Sequence, residues 1–153
     1  MKKQDAMGLM DTGRTTVRLH LWLERGGGTL FGMGRLQLLE RIDTCGSLKA
    51  AAEGLGMSYR AAWGKLKASE EALGIALVEK VGGNKSGCRL TQEGMALAEA
   101  YRVWFAEVER HAVSRADALF PFLCQRFQER KRQAKPSGPD CCATKSISAT
   151  QNI

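Results

Sequence analysis

At 153 residues, 44% of them apolar, the chain has room for one compact domain with tails. Its formal net charge of +7 favours polyanionic partners, nucleic acid or an acidic membrane surface. No run approaches about 18 apolar residues, so no membrane span is expected, and the opening MKKQDAMGLM leads into no apolar core of a secretory signal. Five cysteines, Cys45, Cys88, Cys124, Cys141 and Cys142, form no framework spacing, which points to reduced thiols and a cytoplasmic location.

Residues 1–15 are polar and are read as a mobile N-terminus. From Val17 to Glu24, Val17, Leu19, Leu21 and Leu23 alternate with Arg18, His20, Trp22 and Glu24, the period of a half-buried strand. Gly26-Gly27-Gly28 breaks the chain. Leu36, Leu39 and Ile42 predict a helix over 34–43, ended by Cys45-Gly46. Ser47 caps a second helix, LKAAAE, and Gly54 and Gly56 flank Leu55 in a tight turn. Ser58 caps a third helix, Tyr59 to Leu73, stopped by Gly74. Ile75–Val81 and Cys88–Leu90 read as two strands of a hairpin with a glycine-rich tip, and Thr91 opens a long helix from Gln92 to about Leu119. Residues 16–120 are thus one domain, mostly α with a small β-hairpin and an N-terminal strand. Residues 121–153 are expected to form a short helical extension and a mostly disordered tail.

Helix, tight turn, helix, hairpin and long helix, in that order, describe a winged helix-turn-helix. Ala51 and Ala52 let the first two motif helices approach, and Leu55 and Met57 plug the turn. Ala62, Leu66 and Leu73 form the inner stripe of the third helix, leaving Ser58, Tyr59, Arg60, Trp63, Gly64 and Lys67 outward. The N-terminal part of such a helix meets base edges in the major groove. Arg60 is the candidate base reader, able to give two hydrogen bonds to guanine. Ser58 suits a phosphate, and Lys65, Lys67, Lys85 and Arg89 are candidate phosphate holders. Asn84, Lys85 and Ser86 lie at the wing tip. For Trp63 and Tyr59, packing on neighbouring helices competes with base contact. Gly64, which costs about 1 kcal/mol in a helix relative to alanine, suggests close approach of backbone to DNA or to the first helix.

The segment from Gly34 through Leu97 resembles the N-terminal domain of ModE-type molybdate-responsive regulators and, more distantly, LysR-type winged helices. The resemblance rests on Gly46-Ser47, Ala51-Ala52, Met57-Ser58-Tyr59, Ala62-Trp63, Leu77-Val78-Glu79, Gly82-Gly83 and Leu90-Thr91 with Gly94, and covers residues 17 to about 115. It implies a homodimer paired through the first strand and the long final helix, with DNA contacts at Ser47, the Ser58–Trp63 segment, Lys67 and the wing. The family's molybdate-binding domains have no counterpart in the roughly 38 residues that follow, so molybdate sensing by this chain is not implied. A separate effector or sensor protein could supply it.

The long helix carries Leu97, Tyr101, Trp104 and Val108 on one line, with Ala98, Phe105 and Ala112 beside it. That arc is wide for a helix covering one small domain, so one side is expected on the domain and the other on a second subunit. His20 and His111 stand alone, and a Cys141-Cys142 dipeptide without a third ligand is weak evidence of metal binding. No paired carboxylates, Ser/His/Asp set, phosphate loop or zinc pattern occurs; neither an enzyme nor a cofactor or metal is expected. The expectation is a transcriptional regulator that binds double-stranded DNA. The alternative is a winged-helix protein-interaction adaptor that does not itself bind DNA.

Overall fold

A computed structural model describes residues 13–82 and 87–127. Among them the order is β1 (Thr15–Val17), β2 (Trp22–Arg25), β3 (Gly28–Gly32), α1 (Met33–Cys45), α2 (Leu48–Gly54), α3 (Tyr59–Leu73), β4 (Val78–Val81), β5 (Gly87–Leu90), α4 (Gln92–Leu119) and β6 (Cys124–Arg126). The architecture is a winged helix-turn-helix: three helices, the β4–β5 hairpin as wing, and a 28-residue α4.

The core is built where apolar spacing meets helical period. Leu36, Leu38, Leu39 and Ile42 of α1 meet Ala51 and Ala52 of α2 and Ala62 and Leu66 of α3. Ala51 and Ala52 are fully buried, and their small size lets α1 and α2 close on each other. The Ser47 hydroxyl accepts the Ala50 N–H at 3.4 Å and starts α2. Gly56, at φ 67°, then turns the chain, while the Met57 N–H returns to the Ala52 carbonyl at 3.0 Å. Ser58 caps α3 by accepting from Ala61 N–H at 3.2 Å, and Gly74 ends it in the left-handed region.

The strand expected over Val17–Glu24 is divided. Val17, Leu19 and Leu21 are half-buried as the alternation requires, but Leu23 is exposed and residues 18–21 lie outside any strand. The two pieces take different partners. β1 pairs in parallel with β6, and β2 pairs antiparallel with β3. Gly26 and Gly27, both at positive φ, form the β2–β3 turn, the backbone that two-residue hairpins favour. β3 was not anticipated, yet it places Leu30 and Phe31 in the core. The helical extension expected after Pro121 is instead strand β6, whose Cys124 N–H donates to the Asp117 carboxylate at 2.8 Å. The disorder expected from 129 onward, the Cys141-Cys142 pair and the mobility of residues 1–12 fall outside the described residues.

The strand expected from Ile75 begins only at Val78, because residues 76 and 77 bond elsewhere. The Leu77 N–H donates to the Glu70 carboxylate at 2.8 Å, and the Leu77 carbonyl accepts from Thr91 N–H at 3.0 Å. The Thr91 hydroxyl donates to the Ala76 carbonyl at 2.7 Å and accepts from Gly94 N–H at 2.9 Å, capping α4. Gly94 lies so close that a Cβ there would stand 2.2 Å from the Leu77 carbonyl oxygen. Glu70 is buried, 8% exposed, and also takes Lys67 Nζ at 2.5 Å and the Val78 N–H at 3.3 Å. Burial pushes its carboxyl up, but Lys67 and the two backbone donors outweigh that, and the group lies below the ordinary carboxylate value.

Two outcomes follow from this junction. Gly94→Ala forces backbone apart and should destabilise the fold by about 1–3 kcal/mol or more, seen as a lower midpoint in urea unfolding; an unchanged midpoint would refute the contact. Because the folded Glu70 value is lowered, its charge stabilises the fold above the ordinary 4.5 and loses that contribution as pH falls through the folded value. Glu70→Gln should therefore cost about 1–3 kcal/mol at pH 7, and its deficit should shrink when the same unfolding is measured at pH 3.

Candidate nucleic-acid interface

Helix α3 presents its N-terminal half to solvent. Ser58, Tyr59, Arg60, Ala61, Trp63, Gly64 and Lys65 are all exposed, between buried Ala62 and Leu66. Arg60 forms no ion pair among the described residues, so its guanidinium is available to a ligand. The Ser47 and Ser58 oxygens each accept a helix N–H, which leaves the hydroxyl hydrogen to donate to a phosphate oxygen.

The other expected cations are differently placed. Lys67 is ion-paired with Glu70 at 2.5 Å and sits 4.8 Å from the Trp63 ring centroid. Arg89 on β5 pairs with Glu79 on β4 at 2.6 Å, with both side chains well exposed. Such an exposed pair is worth about 0–1 kcal/mol, so Arg89 can exchange its carboxylate for a phosphate at small cost. Asn84, Lys85 and Ser86 lie outside the described residues. The wing is tied to the motif by the Cys88 N–H, which donates to the Gly46 carbonyl at 2.9 Å.

Lys65 points away from this set. It lines an open groove with Arg18, Arg35 and Arg126, between the start of α1 and the β1–β6 pair. Arg35 Nε donates to Ser69 Oγ at 2.6 Å, linking α1 to α3, and burial lowers its guanidinium from the ordinary value. Sequence reasoning missed these three arginines, since they come from three distant segments and no local spacing joins them.

Trp63 is exposed rather than buried between helices. Its ring stacks on Tyr59, with centroids 6.4 Å apart and planes 13° from parallel, and the two side chains remain 40% and 53% exposed. Gly64 gives a second correction. A Cβ built there meets nothing within 4 Å, so its lack of a side chain is not required by α1. The close approach expected between its backbone and α1 is therefore not seen among the described residues.

On α4, Tyr101 was expected at a subunit interface but is buried within the single chain, 3% exposed. Its hydroxyl donates to the Leu21 carbonyl at 2.8 Å, and its ring meets Phe31 edge-on at 5.3 Å. Leu97, Trp104 and Phe105 pack partly against the same core, and Val108 is half-buried. No helix among the described residues is long and apolar enough to cross a membrane.

Gly64→Ala gives a double outcome. The free protein should gain about 1 kcal/mol of stability, the ordinary helix propensity difference, while affinity for DNA falls; a variant with unchanged affinity would refute close approach at this position.

Residues 33–95 match the family of bacterial regulatory helix-turn-helix proteins of the lysR type. The molybdenum-pterin-binding protein MopB of Rhodobacter capsulatus is 40% identical over 81 residues, 52% of this chain and 30% of MopB. The molybdenum transport protein ModE of Azotobacter vinelandii is 33% identical over 82 residues, 52% of this chain and 30% of ModE. The match thus spans less than a third of these relatives' length. Among solved structures, the CbnR_DBD–DNA complex is 29% identical with a TM-score of 0.46, covering 56% of this chain and 95% of that one. Residues 33–95 are therefore similar to the lysR-type helix-turn-helix, in a chain that resembles ModE and the Mop proteins over about half of its length.

Proposed function

We propose that this chain is a transcriptional regulator that binds double-stranded DNA as a homodimer, with α3 in the major groove. The observation that carries the reading is the outward face of α3. There Arg60, in no ion pair among the described residues, lies one turn from Gly64, whose missing side chain no described residue requires. The match of this same segment to lysR-type motifs supports it. Arg60 is assigned to base edges, Ser47 and Ser58 to phosphates, and Lys67, Arg89 and the wing to the flanking backbone. Lys65 is assigned to phosphate as well, through the basic groove it shares with Arg35.

The second subunit is assigned to α4. With Tyr101 committed to the core, the partner would meet the half-exposed sides of Leu97, Trp104, Phe105 and Val108. A two-fold pair sets recognition helices about 34–36 Å apart, one turn of DNA. Chemistry is not part of the reading, because the candidate residues bind and none is arranged to react.

Gel shifts on a genomic DNA library test the whole reading. The protein should retain duplexes as two chains per site, with affinity falling steeply with salt. Arg60→Ala should lose about 1–3 kcal/mol on a selected site and little on random DNA. Equal losses on both would remove Arg60 from base readout, and no retained duplex at low salt would favour the adaptor reading.

A further inference from the structure

The exposed aromatic pair of α3 has a use that the basic residues do not explain. Between Ser58 and Leu73 there is no asparagine or glutamine, the side chains that read adenine with paired hydrogen bonds. Arg60 reads guanine. Lys67 is held by Glu70. Of the rest of the exposed surface, Ser58 caps the helix and is assigned with Lys65 to phosphate, Glu71 lies in the last turns away from the N-terminal reading end, and Ala61, Gly64 and Ala68 carry no hydrogen-bonding side chain. Hydrogen bonding from α3 is therefore poorly equipped to recognise an A·T pair.

The major groove offers one apolar feature on base edges, the C5 methyl group of thymine. On this helix the apolar surface left in water is that of Tyr59 and Trp63, 53% and 40% exposed in the first two turns. The two rings lie side by side one helical turn apart. They stack on each other 6.4 Å apart and 13° from parallel, and the Lys67 ammonium lies over Trp63. Neither ring is needed to fill the core, which closes beneath them on Ala62 and Leu66.

We propose that the Tyr59–Trp63 pair is a specificity element that recognises thymine through its methyl group, complementing the guanine contact of Arg60. The proposal rests on the DNA-binding reading above. It makes the half-site one in which thymine is sensed by apolar contact and guanine by charge-assisted hydrogen bonds.

The test uses duplexes enriched from a random pool by the full chain, then copied with either thymidine or deoxyuridine triphosphate. Uracil keeps the O4 acceptor and base pairing and lacks only the methyl. Wild-type protein should bind the uracil copies more weakly, by roughly fourfold for each methyl covered. Trp63→Ala and Tyr59→Ala should bind the two copies nearly alike. Arg60→Ala should bind both more weakly and preserve their ratio. Equal binding of both copies by wild type overturns the proposal, and that measurement needs no variant to fold. A thymine preference that survives in both aromatic variants overturns it too, by moving the contact elsewhere. If wild type enriches no duplex at all, the DNA-binding reading fails first and takes this one with it; that result would point to a protein partner for the aromatic pair.

Discussion

The peptide unit of Leu77 is the constraint on which the rest of the molecule depends. Its N–H ends on Glu70 of α3, its carbonyl on the backbone of Thr91, its side chain lies in the core, and Gly94 of α4 presses against it. Helix α3, the wing and α4 thus meet within one residue of backbone. A buried carboxylate is costly to desolvate, and Glu70 offsets this with three donors, two of them main-chain N–H groups that would otherwise be unpaired at the start of β4. The geometry of the wing relative to α3 is therefore fixed by hydrogen bonds at its root.

Electrostatically, the surface is less uniform than a net charge of +7 suggests. Among the described residues Lys67 and Arg89 are paired with carboxylates and Arg60 is in no ion pair. Under the proposed function, Arg60 would reach a base with no such partner to displace, whereas Lys67 and Arg89 would exchange one anion for another.

Much of this was legible in the sequence, for identifiable reasons. The limits of α3 and α4 follow from their caps, Ser58 and Gly74, Thr91 and the residues before Pro121, each a strong local signal. The outward set on α3 follows from helical period alone. What was missed depends on tertiary pairing. β3 was given no element, because Gly26-Gly27-Gly28 was read as a break although Gly26-Gly27 is a hairpin turn signal. β6 finds its partner more than a hundred residues away in β1, which no local pattern announces. Tyr101 fell on the expected apolar line, and only the carbonyl of Leu21 shows that its hydroxyl is spent inside the domain. Gly94 could be noted but not explained until the Leu77 carbonyl stood beside it.

The contact at Gly94 also has a mechanical side. α4 extends about 42 Å at 1.5 Å per residue. Its buried positions, Gly94, Ala98 and Tyr101, all lie in its N-terminal half, and its far end is held by the return of β6 onto β1. The helix is thus seated at both ends, by Gly94 against Leu77 and by the Asp117 carboxylate that accepts the Cys124 N–H of β6. A tilt of about 3° at Gly94 would swing the far end by about 2 Å over that length. The absence of one methyl group therefore sets an angle as well as a packing distance, and through that angle the place where the distal half of α4 meets β6.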